Sequence, residues 1–150
     1  MDELRDLYQA TIMDHNRSPR NFGQPDSSNH RADGHNPVCG DKITVYLDVR
    51  DGRIEDIGFE GAGCAISTAS ASLMTEFVKG MEVARVGDSF ECFHELVTGS
   101  ELEVPEIPEL GKLVVFAGVR AYPVRVKCAT LAWHTLRSAL AEDGAVAKTE

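Results

Sequence analysis

The stretch Ile43-Thr44-Val45-Tyr46-Leu47-Asp48-Val49-Arg50-Asp51-Gly52-Arg53-Ile54-Glu55-Asp56-Ile57-Gly58-Phe59-Glu60 decides the fold. Ile43, Val45, Leu47 and Val49 alternate with Thr44, Tyr46 and Asp48, the period of a strand with one buried face. Asp51-Gly52 is the dipeptide of a tight hairpin turn, so Ile54 to Glu60 is predicted to return as an antiparallel neighbour. Carried backwards, the same alternation puts Cys39 and Asp41 on the face of Ile43 and Val45, at the end of the sheet. Two potential metal ligands are therefore expected there, in a half-buried position.

Beyond the hairpin, Gly61 and Gly63 let the backbone turn sharply before Cys64. A helix is predicted to follow as far as Lys79, with Ile66, Ala69, Leu73 and Phe77 on one stripe and Gly80 as its stop. Its small residues, Ser67 and Ala69 to Ser72, permit close packing on a neighbour. Ahead of the hairpin, Leu4, Leu7, Tyr8 and Ile12 recur at helical spacing, and this helix is expected to end near His15-Asn16, with Pro19 just beyond. Residues 17–37 are polar and read as a loop, long enough to be functional or mobile. Downstream, Asp88-x-x-Glu91 has the form of a capping box and is expected to open a short helix through Phe90, Phe93 and Val97 to Gly99. Residues 99–111, with Pro105 and Pro108 among acidic residues, read as a loop. Leu113 to Phe116 is too short to assign to helix or strand. A final helix is predicted from around Cys128 through Leu131, Trp133, Leu136 and Leu140 to Gly144, followed by a frayed tail. Residues 1–150 make one domain without repeats.

The net charge of −9 over 150 residues argues against a role resting on phosphate contacts, because a nucleic-acid binder needs a basic surface. An acidic surface instead suits a protein partner that presents a basic patch. No apolar run approaches a membrane span, and Met1-Asp2-Glu3-Leu4 does not open like a signal peptide. A cytoplasmic location is expected, and in a reducing compartment cysteines serve metal binding or catalysis more than disulfides.

Tetrahedral zinc is bound by Cys sulfur, His nitrogen and carboxylate oxygen. Cys39, Asp41, Cys64 and Cys128 supply three thiolates and one hard oxygen. Cys128 is expected at a helix start, with Lys127 and Arg125 close by, where thiolate is favoured over thiol. The competing reading of each cysteine is a small buried hydrophobe, which is the reading adopted for Cys92, between Phe90 and Phe93. Among His15, His30, His35, His94 and His134, only His35 lies near enough in sequence to Cys39 to support the site from behind its ligands. Arg125 either pairs with Asp41 or is a solvated charge.

Leu7-Tyr8 to Asp14-His15, Pro19-Arg20-Asn21, Asn36-Pro37-Val38-Cys39-Gly40-Asp41, Gly63-Cys64-Ala65, Phe77-Val78-Lys79-Gly80 and Val126-Lys127-Cys128-Ala129, in this order, resemble the U-type iron–sulfur cluster assembly proteins. The resemblance covers nearly the whole chain. It implies an α+β fold, a small antiparallel three-stranded sheet packed against several helices, with a site built from the three cysteines and Asp41. The scaffold branch, on which an Fe–S cluster is assembled, is similar at the first two stretches but carries His immediately before the third cysteine, where this chain has Lys127. With the longer segment between Cys64 and Cys128, and with Arg125, the chain resembles the SufU branch. That likeness implies a zinc-dependent sulfurtransferase that accepts persulfide sulfur from a SufS-type, PLP-dependent cysteine desulfurase and passes it to downstream Fe–S assembly proteins. It also implies Cys39 as the accepting nucleophile; Cys128 is the second choice, because its expected helix-start position favours thiolate. A cluster scaffold and a purely structural zinc module are the alternatives.

Overall fold

The hairpin of residues 43–60 builds the sheet on which everything else is laid. Ile43, Val45 and Leu47 are buried as the alternation predicts, but Tyr46 and Asp48 on the other face are buried too, and Val49 is only partly so. The computed structural model describes residues 2–99, 108–120, 122–141 and 147–148. Strands β1 (His30–Asn36), β2 (Asp41–Arg50) and β3 (Arg53–Ala62) form an antiparallel meander, in the order β3-β2-β1. Val45 and Leu47 are fully buried, and across the hairpin Val45 faces Phe59 and Leu47 faces Ile57. The turn is left-handed at both Asp51 (φ 52°) and Gly52 (φ 74°), as the Asp-Gly dipeptide requires. A two-residue strand, β4 (Ala147–Lys148), runs parallel to the free edge of β1.

The helices are α1 (Asp2–Arg17), α2 (Ala65–Val78), α3 (Val83–Thr98) and α4 (Pro123–Ala141). A 3₁₀-helical segment, Pro108–Val119, is broken at Gly111 (φ 53°, ψ −125°), a conformation open to glycine alone. Helix α4 lies over β1 and β2, and α2 packs between α1 and α4. The small residues of α2 make that packing close. Ala69, Ser70, Ala71 and Ser72 are fully buried, and Ser70 Oγ donates to the Ala129 carbonyl at 2.5 Å. Trp133 anchors the middle of the core, stacked on Phe93 at 4.9 Å and tilted against Phe77 at 6.2 Å.

Three expectations fail in instructive ways. Residues 30–36 are a strand, not part of a long loop. Its polar residues hide it, and it pairs through its backbone while burying only Gly34 and Asn36. A Cβ at Gly34 would collide with Thr135 Oγ1, so this glycine is what lets α4 settle onto β1. Helix α3 begins five residues before Asp88, which lies within it and caps nothing. Its start is tied to the hairpin, with Val83 N–H donating to the Gly52 carbonyl at 2.8 Å. Helix α4 begins at Pro123, a first-turn position that proline favours, so Cys128 is in its second turn and not at its start. Of the expected loop 99–111, residues 108–111 instead open the 3₁₀ segment, and in the expected frayed tail Ala147–Lys148 pair as β4. Residues 100–107 and 142–146, with the expected end of α4 at Gly144, lie outside the described residues.

Candidate metal centre

The end of the sheet where β1 stops and β2 starts gathers the sulfur-bearing stretches. Asn36 pairs with Asp41 across β1 and β2, and Lys42 with Ala62 across β2 and β3, so the end of β3 delivers Gly63-Cys64 beside Asp41. Between Asn36 and Asp41 the chain makes a turn closed by the Gly40 N–H on the Asn36 carbonyl at 2.8 Å, with Gly40 left-handed (φ 73°). Cys39 sits on this turn and not on the strand, because β2 begins only at Asp41. The strand alternation therefore holds for Asp41, which is 1% exposed, but not for Cys39, which is exposed.

Donor atoms of Cys39, Asp41 and Cys128 all lie within 4.8 Å of one another. The Cys128 thiol, 3% exposed, donates to Cys39 Sγ at 3.5 Å. Two thiolates about 2.3 Å from one tetrahedral zinc stand about 3.8 Å apart, so this sulfur pair fits a shared zinc with little movement. Cys64 is outside that three-donor group, but its sulfur is 4.0 Å from Asp41 Oδ2 and its backbone N–H donates to Asp41 Oδ1 at 2.9 Å. Three soft sulfurs and one carboxylate oxygen are a donor set suited to zinc.

The electrostatics differ from the sequence expectation. Cys64, not Cys128, is at a helix N-terminus: it caps α2, accepting from the Ser67 N–H at 3.4 Å. The neighbouring Cys128 thiol, together with that backbone donor, pulls the Cys64 thiol down to about 6, so it is largely thiolate at neutral pH. The Cys64 sulfur and burial push the Cys128 thiol up. The helix-start reason for a Cys128 thiolate is thus replaced by a proton held on Cys128 and a charge on Cys64.

The flanking residues are placed as follows. Arg125 is exposed on the first turn of α4, 4.4 Å over the Tyr122 ring, with the buried Tyr8 hydroxyl also within its electrostatic reach. Its contacts among the described residues are with these tyrosines and not with Asp41. Lys127 is half-buried beside Cys128. His35 pairs with Lys42 one step along from Asn36, on the face of β1 turned away from Asp41. Cys92 packs partly buried against the core. Asn36 is the residue that sequence reasoning passed over: it is fully buried and its Nδ2 faces both Asp41 Oδ2 (3.4 Å) and Cys128 Sγ (3.7 Å). An Asn-Pro pair with glycine four residues on is a turn signal, and it was the available hint.

Residues 7–129 match the model of the NifU-like N terminal domain. The chain is 40% identical over 140 residues to the iron–sulfur cluster assembly scaffold protein IscU of Streptococcus pyogenes serotype M1, covering 93% of this chain and 86% of that one. It is 38% identical over 140 residues to the zinc-dependent sulfurtransferase SufU of Bacillus subtilis (strain 168), covering 93% of each. A solved structure described as a candidate iron–sulfur cluster assembly scaffold for the SUF system, from Fervidobacterium islandicum AW-1, superposes with a TM-score of 0.80 at 34% identity. The match covers 89% of this chain and 96% of that one.

Proposed function

Because the chain belongs to the NifU-like N-terminal domain family of iron–sulfur cluster assembly proteins, with IscU and SufU, we propose that it is a zinc-dependent persulfide acceptor and carrier. Its donor would be a SufS-type cysteine desulfurase. Zinc would be held by Cys39, Asp41, Cys64 and Cys128. When bound, the metal keeps these sulfurs as thiolates and guards them from oxidation.

The observation that carries the reading is the inequality among the three cysteines. Asp41 and Cys128 are buried, and Cys64, though exposed like Cys39, is fixed as the cap of α2. Cys39 stands exposed on a turn beside Val38, itself 57% exposed, where a partner can reach it. The Cys39 thiolate attacks the terminal sulfur of the desulfurase persulfide. The sulfur–sulfur bond of the donor breaks, the donor cysteine leaves as thiolate, and a persulfide forms on Cys39. Lys127, in the place where the scaffold branch carries His, favours transfer over cluster assembly.

A second reading rests on the scaffold name of the 40% identical relative: an Fe–S cluster assembled on the same four residues. Incubation with a desulfurase and free cysteine, followed by peptide mass spectrometry, separates the two. Transfer predicts a gain of one sulfur on the peptide holding Cys39, colourless zinc-loaded protein and faster desulfurase turnover. A gain confined to Cys64 or Cys128 would assign the wrong thiol. A brown, oxygen-labile chromophore after reconstitution, without stimulation of the desulfurase, would replace transfer by the scaffold role.

A further inference from the structure

Asn36 ends β1 with no exposed surface, and both ends of its carboxamide are engaged. Its Oδ1 accepts from the Val38 N–H at 3.2 Å. That backbone group can only donate, which fixes the oxygen end of the amide and sends Nδ2 the other way. Nδ2 lies 3.4 Å from Asp41 Oδ2 and 3.7 Å from Cys128 Sγ. One residue therefore closes the turn that carries Cys39 and faces two buried donors of the site.

We propose that Asn36 is a positioning residue of the metal centre, an inference that rests on the zinc reading above. Its amide holds Asp41 and Cys128 as the fixed half of the ligand set, while Cys39 is left as the half that can depart. The other donors are each held by an N–H. Asp41 has Asn36 Nδ2 and the Cys64 N–H, Cys64 has the Ser67 N–H, and Cys128 has Asn36 Nδ2. Among the described residues, Cys39 Sγ receives no N–H donor, only the Cys128 thiol. A donor bond to a ligating sulfur or oxygen orients it and resists its release, so the unheld thiolate is the one freed first. The simpler role for Asn36 is to stabilise the turn through Val38 alone.

Two substitutions separate these roles. Asn36→Asp keeps the size and the acceptor for Val38, but turns the donor into a carboxylate oxygen facing Asp41 and the Cys128 sulfur. Asn36→Ser keeps a short acceptor for the turn and removes the Nδ2 donor without adding charge. Zinc-loaded proteins are challenged with a chelating dye, cobalt-substituted samples are read by thiolate-to-metal absorption, and alkylated cysteines are located by mass spectrometry. Zinc affinity should fall about 10-fold in Asn36→Ser and about 100-fold in Asn36→Asp, the range seen when partners behind metal ligands are lost, and zinc should pass to the dye faster from both. Cobalt absorption should weaken, and alkylation should spread from Cys39 to Cys128. If Asn36→Asp does not fold by circular dichroism, Asn36→Ser decides. Wild-type zinc release and alkylation pattern in Asn36→Ser would overturn the inference while leaving the zinc reading intact. Wild-type protein that takes up neither zinc nor cobalt would overturn both.

Discussion

Gly63 has no room for a side chain. A Cβ there would stand 2.9 Å from Asp41 Oδ1 and 3.2 Å from its carboxyl carbon. Gly63→Ala should push the Asp41 carboxylate off the Cys64 N–H while leaving the core untouched, because Gly63 is not among the left-handed residues. We expect zinc affinity to fall by about 10-fold, measured by competition with a chelator, and the metal-free melting temperature to stay within a few degrees of wild type. A metal-free protein that melts far lower would show Gly63 to be a folding residue instead. At this scale the sequence exposed the candidate donors but not their inequality. Cys39, Asp41, Cys64 and Cys128 announce themselves by residue type and by the glycines around them. Which sulfur holds charge depends on a five-residue difference in where α4 starts, and on Cys64 reaching the Ser67 N–H. Asn36 escaped because a polar residue before a proline looks like ordinary turn chemistry until its burial is known.

The seam between α1 and α2 turns on His15, which is 1% exposed. Its Nδ1 is 2.6 Å from Ser72 Oγ, which also accepts the Arg20 N–H at 2.8 Å, and its Nε2 is 3.8 Å from Glu76 Oε1. Burial holds the imidazole below its ordinary range, with the Arg20 charge adding to this and Glu76 and Asp14 opposing it. Below about pH 6.5 the unfolded chain takes up a proton that the folded seam resists, so stability should fall as pH drops through that value. His15→Gln keeps a hydrogen-bonding side chain and cannot titrate. Urea midpoints at pH 7.5 and 5.5 should therefore separate more for wild type than for His15→Gln; equal separations would remove His15 as the source. Elements were legible in proportion to how strongly one face is apolar. The hairpin and α2 stood out because Val45, Leu47, Ile57, Ala69 and Leu73 recur at strand or helix period. β1 did not, because His30-Arg31-Ala32-Asp33-Gly34-His35-Asn36 gains its place from backbone pairing and from α4 closing on Gly34. The start of α3 was missed for a related reason: the hairpin's Gly52 carbonyl, not a side chain, receives its first N–H.

Over the whole molecule, the four proposed donors come from four separate pieces of chain: the Asn36–Gly40 turn, the start of β2, the cap of α2 and the second turn of α4. A metal bound by all four in the folded chain, and by none as a set in the unfolded one, stabilises folding by mass action. With free zinc a thousandfold above its dissociation constant the gain is about 4 kcal/mol. In a domain of this size each kcal/mol shifts the melting temperature by about 2–4 °C, so stripping zinc with a chelator should lower it by about 8–16 °C. The shift should be reversed by adding zinc back. The core beneath the site is held by apolar packing of its own, with Trp133, Leu131 and Leu136 fully buried and Phe93 stacked on Trp133. The stripped protein should therefore still melt cooperatively, with its far-ultraviolet circular dichroism retained. Loss of the fold on stripping would assign the metal a structural role and weaken the case for a centre that opens. A retained fold with the expected shift is what a carrier needs, because Cys39 can then be released to a partner while the sheet and helices stay in place.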